Sequence, residues 1–381
     1  MQKTTTYKSH HFTGLPFLNP RILIPLASSR IQKLSFFLYS PGSSYGKIFK
    51  WLGRAAASTG FMRLSGKFIA APVETFKVTD SIQPLLNENV LAHIESAWRA
   101  ALGVDAICFA LSLGDPNDYR KVTALIFDKN ENPVAFGKIG YTPQAKSLIK
   151  NERHTLEVIN TTDIPSTIIP KMLGCGETDS CFWLLQSTLM NGHTSPIHLG
   201  KEHFNFLCDL ARNTVQVVSL SSSALYEYIQ QILKDPSLGI KKEFESERHF
   251  IEKLRNHVLA LTSENLSKQW PFTAAHGDFA PWNMRLAHGQ LALFDWEQYI
   301  SAAPAGWDIF YFIFRVDNLI NRLSLQAIFT KFEKGAYWDN ITYFEKKFGM
   351  SIPDQRLLAS LVILAIAFDL IPRLVCHTKP S

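Results

Sequence analysis

The sequence predicts an α+β protein. Strand-like apolar runs cluster between residues 106 and 187, and helical periodicity dominates from residue 199 onward. With 381 residues, 46% hydrophobic and 19% charged, the chain has material for about two or three cores. An aromatic content of 12% argues against disorder.

Residues 1–80 combine Pro-punctuated apolar pieces with basic clusters such as Arg30-Ile31-Gln32-Lys33-Leu34-Ser35-Phe36-Phe37 and Lys47-Ile48-Phe49-Lys50-Trp51-Leu52-Gly53-Arg54. They hold 11 Lys/Arg against Glu74 and Asp80, net +9, whereas residues 81–381 carry 28 against 31, net −3. Two readings stand. One is a peripheral contact with an anionic membrane or polyanionic partner, by apolar insertion and charge attraction. The other is an extension that packs its apolar residues on the lobe behind it and leaves its lysines in water. A secretory pattern is not expected, because Pro16, Pro20, Arg21 and Pro25 interrupt the run from Leu15 to Ala27.

A helix is expected from Asp80 to Gly103, with Leu85, Leu86, Val90, Leu91, Ile94 and Trp98 on one stripe. Strands follow at Ala106–Ser112 and Lys121–Phe127, joined by the turn Gly114-Asp115-Pro116-Asn117-Asp118. That turn is either an ordinary hairpin connection or a loop whose backbone N–H groups, at Gly114, cover phosphates.

A third strand, Val134–Ile139, carries Lys138 on the face of Val134 and Phe136. Thr142 and Pro143 then open a helix. Its stripe of Ala145, Leu148, Ile149, Glu152, Leu156 and Ile159 sets a carboxylate among apolar neighbours. A buried carboxylate costs several kcal/mol unless paired, and Lys138 is the obvious partner. A surface lysine and a solvated glutamate are the plainer alternative.

Beyond Ile168–Leu173 an apolar strand runs from Cys181 to Leu185 and ends at Gln186-Ser187. Residues 199–234 and 241–265 look helical, and Lys241 to His257 is expected to be a solvated face or a border of an acceptor pocket. Pro304-Ala305-Gly306-Trp307-Asp308 precedes an apolar helix, which suits Asp308 to capping and loop anchoring. Leu357 to Phe368 is expected to be a buried helix, cut by Asp369 and Pro372 short of the roughly 20 residues a membrane span needs. Cys108, Cys175, Cys181, Cys208 and Cys376 show no C-x-x-C pairing, so reduced thiols in a cytosolic compartment are expected.

The stretch richest in chemistry is His276-Gly277-Asp278, then Asn283, then Asp295-Trp296-Glu297. Two short apolar runs around Gly289 read as a hairpin. If Ala287 to Gln290 form the turn, Leu286 opposes Leu291 and Asn283 comes within about one residue of Asp295. Two oxygen ligands then converge where a hard cation such as Mg²⁺ could sit. Asp278, on the loop entering the hairpin, could accept a proton from a hydroxyl, which completes the parts of a phosphoryl-transfer site. His276 and Asp278 could instead be ligands of a hydrolytic metal, but no third ligand of zinc type sits nearby and Gly277 gives no helix.

This pattern resembles the aminoglycoside phosphotransferase and choline kinase family, most strongly over residues 276–308, moderately over 134–159 and slightly elsewhere in 104–375. The resemblance implies a protein-kinase-like two-lobed fold, with a small antiparallel-sheet N-lobe, a larger mainly helical C-lobe and, here, an N-terminal extension. It implies Asp278 as catalytic base, His276 as buried organiser of the loop, Asn283 and Asp295 as Mg²⁺ ligands, and Lys138 paired with Glu152 for the phosphates of ATP. Gly114 would lie over the phosphates, and the strand end near Gln186 would meet adenine where the resembled fold has its hinge.

The domains expected are then 1–80, an extension of unknown role; 81–186, the nucleotide-binding N-lobe; and 187–381, the C-lobe with the catalytic loop and acceptor pocket. Gly277 stands where protein kinases carry arginine, and Asp295-Trp296-Glu297 replaces Asp-Phe-Gly. A small-molecule acceptor is therefore expected: a sugar, amino alcohol, aminoglycoside-like compound or glycan or lipid precursor. Nucleic acid is not expected as a partner, and the location expected is cytoplasmic, with peripheral membrane contact if residues 1–80 provide it. The competing class is a catalytically idle kinase-like scaffold that works through its N-terminal extension.

Overall fold

The computed structural model describes residues 10–16, 20–38, 44–60, 62, 70–76, 86–190, 192–235, 238–368 and 370. In chain order the elements are β1 (His11–Leu15), β2 (Ile22–Pro25), α1 (Ser29–Ser35), α2 (Ser44–Ser58), β3 (Ala71–Pro72), α3 (Glu88–Leu102), β4 (Cys108–Ser112), β5 (Lys121–Phe127), β6 (Pro133–Gly140) and α4 (Pro143–Ile159). There follow β7 (Thr167–Ile168), β8 (Met172–Glu177), β9 (Phe182–Ser187), β10 (His193–Thr194), α5 (Lys201–Thr214), β11 (Gln216–Ser219), α6 (Ala224–Ile232), α7 (Arg248–Asn265) and β12 (Gln269–Ala275). The remaining described elements are β13 (Met284–Ala287), β14 (Gln290–Leu293), β15 (Ile300–Pro304), α8 (Trp307–Leu319), α9 (Leu325–Glu333), α10 (Trp338–Phe348) and α11 (Gln355–Phe368). The fold is α+β, as the order of strand and helix patterns predicts.

The chain divides into two compact units, residues 1–153 with 170–188 and residues 154–169 with 189–381. The first is built on an antiparallel sheet of order β3-β1-β2-β4-β5-β6-β9-β8. Strands β1 and β2 belong to it: Ile22 pairs with Ser112 and Leu23 with Leu111, so the N-terminal segment extends the sheet beyond β4. Phe12, Leu23 and Val73 enter the same core as Phe109, Leu111 and Leu185. Helix α3 starts at Glu88, where the Asn87 side chain accepts the Asn89 N–H at 2.9 Å, and ends at Gly103 in the left-handed region. The upstream part of the expected helix, residues 80–85, lies outside the described residues. The α3 face formed by Leu91, Ile94 and Trp98 is buried, with Trp98 edge-on to Phe109 at 5.6 Å.

The second unit is mainly helical. Helices α7 to α11 share one core in which residues Leu357 to Phe368 are buried throughout. Two small sheets complete it, of orders β11-β12-β15 and β10-β13-β14-β7. The expected helix over residues 199–234 is interrupted. At its first end the Thr214 hydroxyl bonds the Leu210 carbonyl and accepts the Ala274 N–H, and Val217 and Val218 continue as strand β11 against β12. Ser223 then caps α6 by accepting the Tyr226 N–H at 3.2 Å. The charged stretch 241–257 is not uniformly solvated either: Arg255 is buried and donates to the Asp235 carbonyl at 2.6 Å.

Among the described residues no helix is long and apolar enough to cross a membrane. Cys108, Cys175, Cys181 and Cys208 are free thiols, and Cys376 lies outside the described residues.

Candidate functional site

The His276–Asn283 loop is fixed from below by Asp308, in the first turn of α8. One carboxylate oxygen accepts the His276 N–H at 2.7 Å and the other the Gly277 N–H at 3.1 Å. Gly277 has φ +82°, and a Cβ there would collide with the Gln298 carbonyl, so only glycine fits. The arginine of protein kinases is excluded at this position by backbone geometry.

His276 is fully buried, 4.6 Å from the Trp296 ring. Its Nδ1 accepts the Asp278 N–H at 3.3 Å, so Nε2 carries the proton and donates to the Phe294 carbonyl at 3.1 Å. A neutral histidine therefore ties the loop to the end of the hairpin.

Asp278 accepts the Tyr311 hydroxyl at 2.9 Å on one oxygen and the Asn283 amide at 2.7 Å on the other. The same amide donates to the Asp278 carbonyl at 2.9 Å, which turns the Asn283 side-chain oxygen away from Asp278. Hairpin β13–β14 has Leu286 opposite Leu291, as the turn spacing requires, and the Phe294 N–H bonds the Asn283 carbonyl at 3.0 Å. Asp295 follows at φ +69°, left-handed for a non-glycine residue, and starts the short 3₁₀ turn Trp296–Gln298. A carboxylate oxygen of Asp295 lies within 4.8 Å of one of Glu297.

Burial first, and then the Asp295 charge, push the Asp278 carboxyl up from 3.8 to about 6, against Arg315, Tyr311 and Asn283. Burial likewise pushes Asp308 up to about 7, although two backbone N–H groups favour its charged form. Both folded values exceed the unfolded one, so the native state holds more protons between pH 4 and 7. The stability these groups contribute is present below about pH 4 and is lost as pH rises through about 6 and then about 7. The melting midpoint should therefore rise between pH 8 and pH 5 by more in the wild type than in Asp278→Asn, and equal slopes would contradict the assignment.

In the first unit Lys138 on β6 faces Glu152 on α4, with Nζ 2.7 and 2.6 Å from the two carboxylate oxygens. Both are buried, at 5% and 0% exposure, so the pair is a desolvated, charge-assisted one. The helix carrying Glu152 is started by Thr142, whose hydroxyl accepts the Ala145 N–H at 3.0 Å.

Gly114 has φ +65°, and a Cβ there would lie 2.7 Å from the Lys121 carbonyl. Its loop is tied to the N-terminal segment, since Arg21 donates to the Gly114 carbonyl at 3.3 Å and pairs with Asp115. Gln186 is buried on β9 opposite Phe136, hence on the Lys138 face, and its side-chain oxygen has no hydrogen-bond partner among the described residues.

The structure thus gathers His276, Asp278, Asn283 and Asp295 in the second unit, and Lys138 and Glu152 in the first. Tyr311 and Arg315 are not marked by the sequence, since they fall inside an apolar helix where spacing alone suggests core; Glu297 lies in the Asp295-Trp296-Glu297 motif, but the sequence assigns it no role.

No protein-family model matches the chain. No curated protein matches its sequence. Similar solved structures include aminoglycoside phosphotransferase APH(3'')-Id from Streptomyces rimosus in complex with ADP and streptomycin, at 13% identity, 72% of this chain, 98% of that chain and a TM-score of 0.41. Spectinomycin phosphotransferase APH(9)-Ia, in complex with ADP and spectinomycin, aligns at 13% identity over 76% of this chain and 89% of that chain, with a TM-score of 0.46. Amicoumacin kinase in complex with AMP-PNP, Ca²⁺ and Ami aligns at 12% identity over 76% and 87%, with a TM-score of 0.37. These likenesses concern the fold and assign no residue a role. The architecture itself is an antiparallel-sheet unit with a buried Lys138–Glu152 pair, and a larger, mainly helical unit with the His276–Glu297 stretch.

Proposed function

We propose that the protein is an ATP- and Mg²⁺-dependent small-molecule kinase of the aminoglycoside phosphotransferase and choline kinase type, transferring the γ-phosphoryl group to an acceptor hydroxyl. One observation carries the reading. Asp278 is hydrogen-bonded to Asn283 at 2.7 Å, at the open end of a hairpin that also delivers Asp295. Asp278, with its proton affinity raised to about 6, is the base that orients the acceptor hydroxyl and takes its proton at a side-chain oxygen. His276, Asp308 and Tyr311 hold that carboxylate in place. Lys138, kept straight by Glu152, supplies positive charge to the nucleotide phosphates; Gly114 and Gln186 belong to the nucleotide-binding part of the first unit.

The donor set fits a hard divalent cation. It is made of oxygens only, the Asn283 amide nitrogen is engaged by Asp278 so that its oxygen is turned away from that carboxylate, and the Asp295 charge raises its neighbour's proton affinity. Asn283 and Asp295 would hold the ion, which when bound neutralises phosphate charge. Residues 1–80 act, in this reading, as an extension of the first unit, and their exposed Trp51 and Leu52 beside Lys50 and Arg54 support a peripheral contact with an anionic membrane.

Lys138→Met tests the nucleotide role. It removes the cation beside a fully buried carboxylate, so a loss of about 3–5 kcal/mol of stability is expected. Lys138→Met with Glu152→Gln should recover much of the melting midpoint without recovering Mg-ATP binding. If nucleotide affinity in the double variant matches the wild type, the phosphate role of Lys138 is wrong.

A further inference from the structure

If Asp278 takes the proton of the acceptor hydroxyl, the rest of the acceptor meets the side chains around Asp278. Tyr311 bonds the carboxylate directly, and Arg315 lies one turn further along α8. The Arg315 guanidinium sits 6.0 Å from the Tyr311 ring centroid and 6.0 Å from that of Trp282. Trp282 belongs to the catalytic loop, between Asp278 and Asn283, and is 38% exposed.

Arg315 is partly buried, and its Nε–H is buried with no hydrogen-bond partner among the described residues. A guanidinium offers five donors in a rigid fork shaped for carboxylate or phosphate. Leaving a buried donor unfilled is costly, and an oxyanion held by this guanidinium would offset that cost. The charge also selects. A cationic acceptor would bring like charge against Arg315, whereas an oxyanion would fill the fork while the exposed Trp282 face covers the adjoining part of the molecule.

We propose that Arg315 and Trp282 recognise an anionic group on the acceptor, so that the substrate is a hydroxyl compound carrying a phosphate or carboxylate; this rests on the phosphotransferase reading above. The oxyanion is bound by Arg315 and the reacting hydroxyl by Asp278. Arg315 is then a specificity residue that separates this chain's acceptor from cationic amino alcohols and aminoglycosides.

The test uses the full chain with Mg-ATP and four acceptor sets: phosphorylated sugars and glycerol phosphate, hydroxycarboxylates, neutral sugars, and cationic amino alcohols and aminoglycosides. Acceptor-stimulated ADP formation is measured for the wild type, Arg315→Gln and Arg315→Lys. Only the anionic sets should stimulate, and which of the two does so identifies phosphate or carboxylate. Arg315→Gln should raise the acceptor KM about tenfold to a hundredfold, the range for a lost charge-assisted hydrogen bond, with Arg315→Lys in between.

Turnover of neutral or cationic acceptors that is indifferent to Arg315 would overturn the proposal. So would silence of both anionic sets while Mg-ATP still binds. A loss confined to kcat, with the acid limb of the pH profile displaced, would make Arg315 a positioning group for Asp278 and also overturn it. Failure of the phosphotransferase reading has a different signature: the wild type shows no Mg-ATP-dependent rise in melting midpoint before any acceptor is added.

Discussion

Asp278→Asn should abolish most phosphoryl transfer while leaving the protein folded and able to bind Mg-ATP. General-base catalysis contributes about 10²–10⁴-fold, and kcat should fall by that factor. The hydrogen-bond environment tolerates the change, because the introduced carboxamide can accept from Asn283 through its oxygen and donate to the Tyr311 hydroxyl through its nitrogen. The substitution also removes a charge whose ionisation is opposed by burial and by Asp295, so the melting midpoint at pH 8 should not fall. In the wild type, transfer should decline below about pH 6 as Asp278 takes up a proton. Undiminished kcat in the variant would rule out the base assignment; a collapsed melting curve would show that Asp278 is structural.

Asp308→Ala should be the most damaging single change to the second unit. It leaves the N–H groups of His276 and Gly277 without their acceptor in a fully buried site, at about 1–3 kcal/mol each, so a loss of about 2–6 kcal/mol is expected. Because those two residues precede Asp278, activity should fall with stability. Asp308→Asn keeps one acceptor and should lose less of both. Equilibrium denaturation of the two variants checks this: a loss under 1 kcal/mol for Asp308→Ala, about the size of an ordinary surface substitution, would contradict the anchoring role.

The parts of the fold visible in the sequence are those set by local chemistry. The β13–β14 register follows from Gly289 and the apolar residues around it, the α4 start from Thr142-Pro143, and the burial of Glu152 from its helical stripe. What was not visible depends on pairing across long sequence separations. Ile22 and Leu23 become strand residues because Ser112 and Leu111 offer an edge, which nothing in residues 20–25 announces. The interruption at Thr214 likewise depends on the Ala274 N–H.

Within the candidate site, His276, Asp278, Asn283 and Asp295 stood out because polar residues at fixed spacing interrupt apolar runs. Arg315 and Tyr311 did not, since on an apolar helix their direction is decided by the partner, not by periodicity. Gly277 departs from the arginine of protein kinases, and its positive φ and the nearby Gln298 carbonyl give that departure a steric cause.

The most direct measurement is the melting midpoint of the wild type and Asp295→Asn with Mg-ATP, Mg-GTP and nucleotide without metal. A ligand that binds only the folded protein raises the midpoint, by about 2.7 kcal/mol of stabilisation at a hundredfold excess over Kd. The wild type should show a shift that requires both nucleotide and Mg²⁺ and that Asp295→Asn removes. No shift with any nucleotide, or a shift that needs no metal and survives in Asp295→Asn, would contradict the phosphotransferase reading.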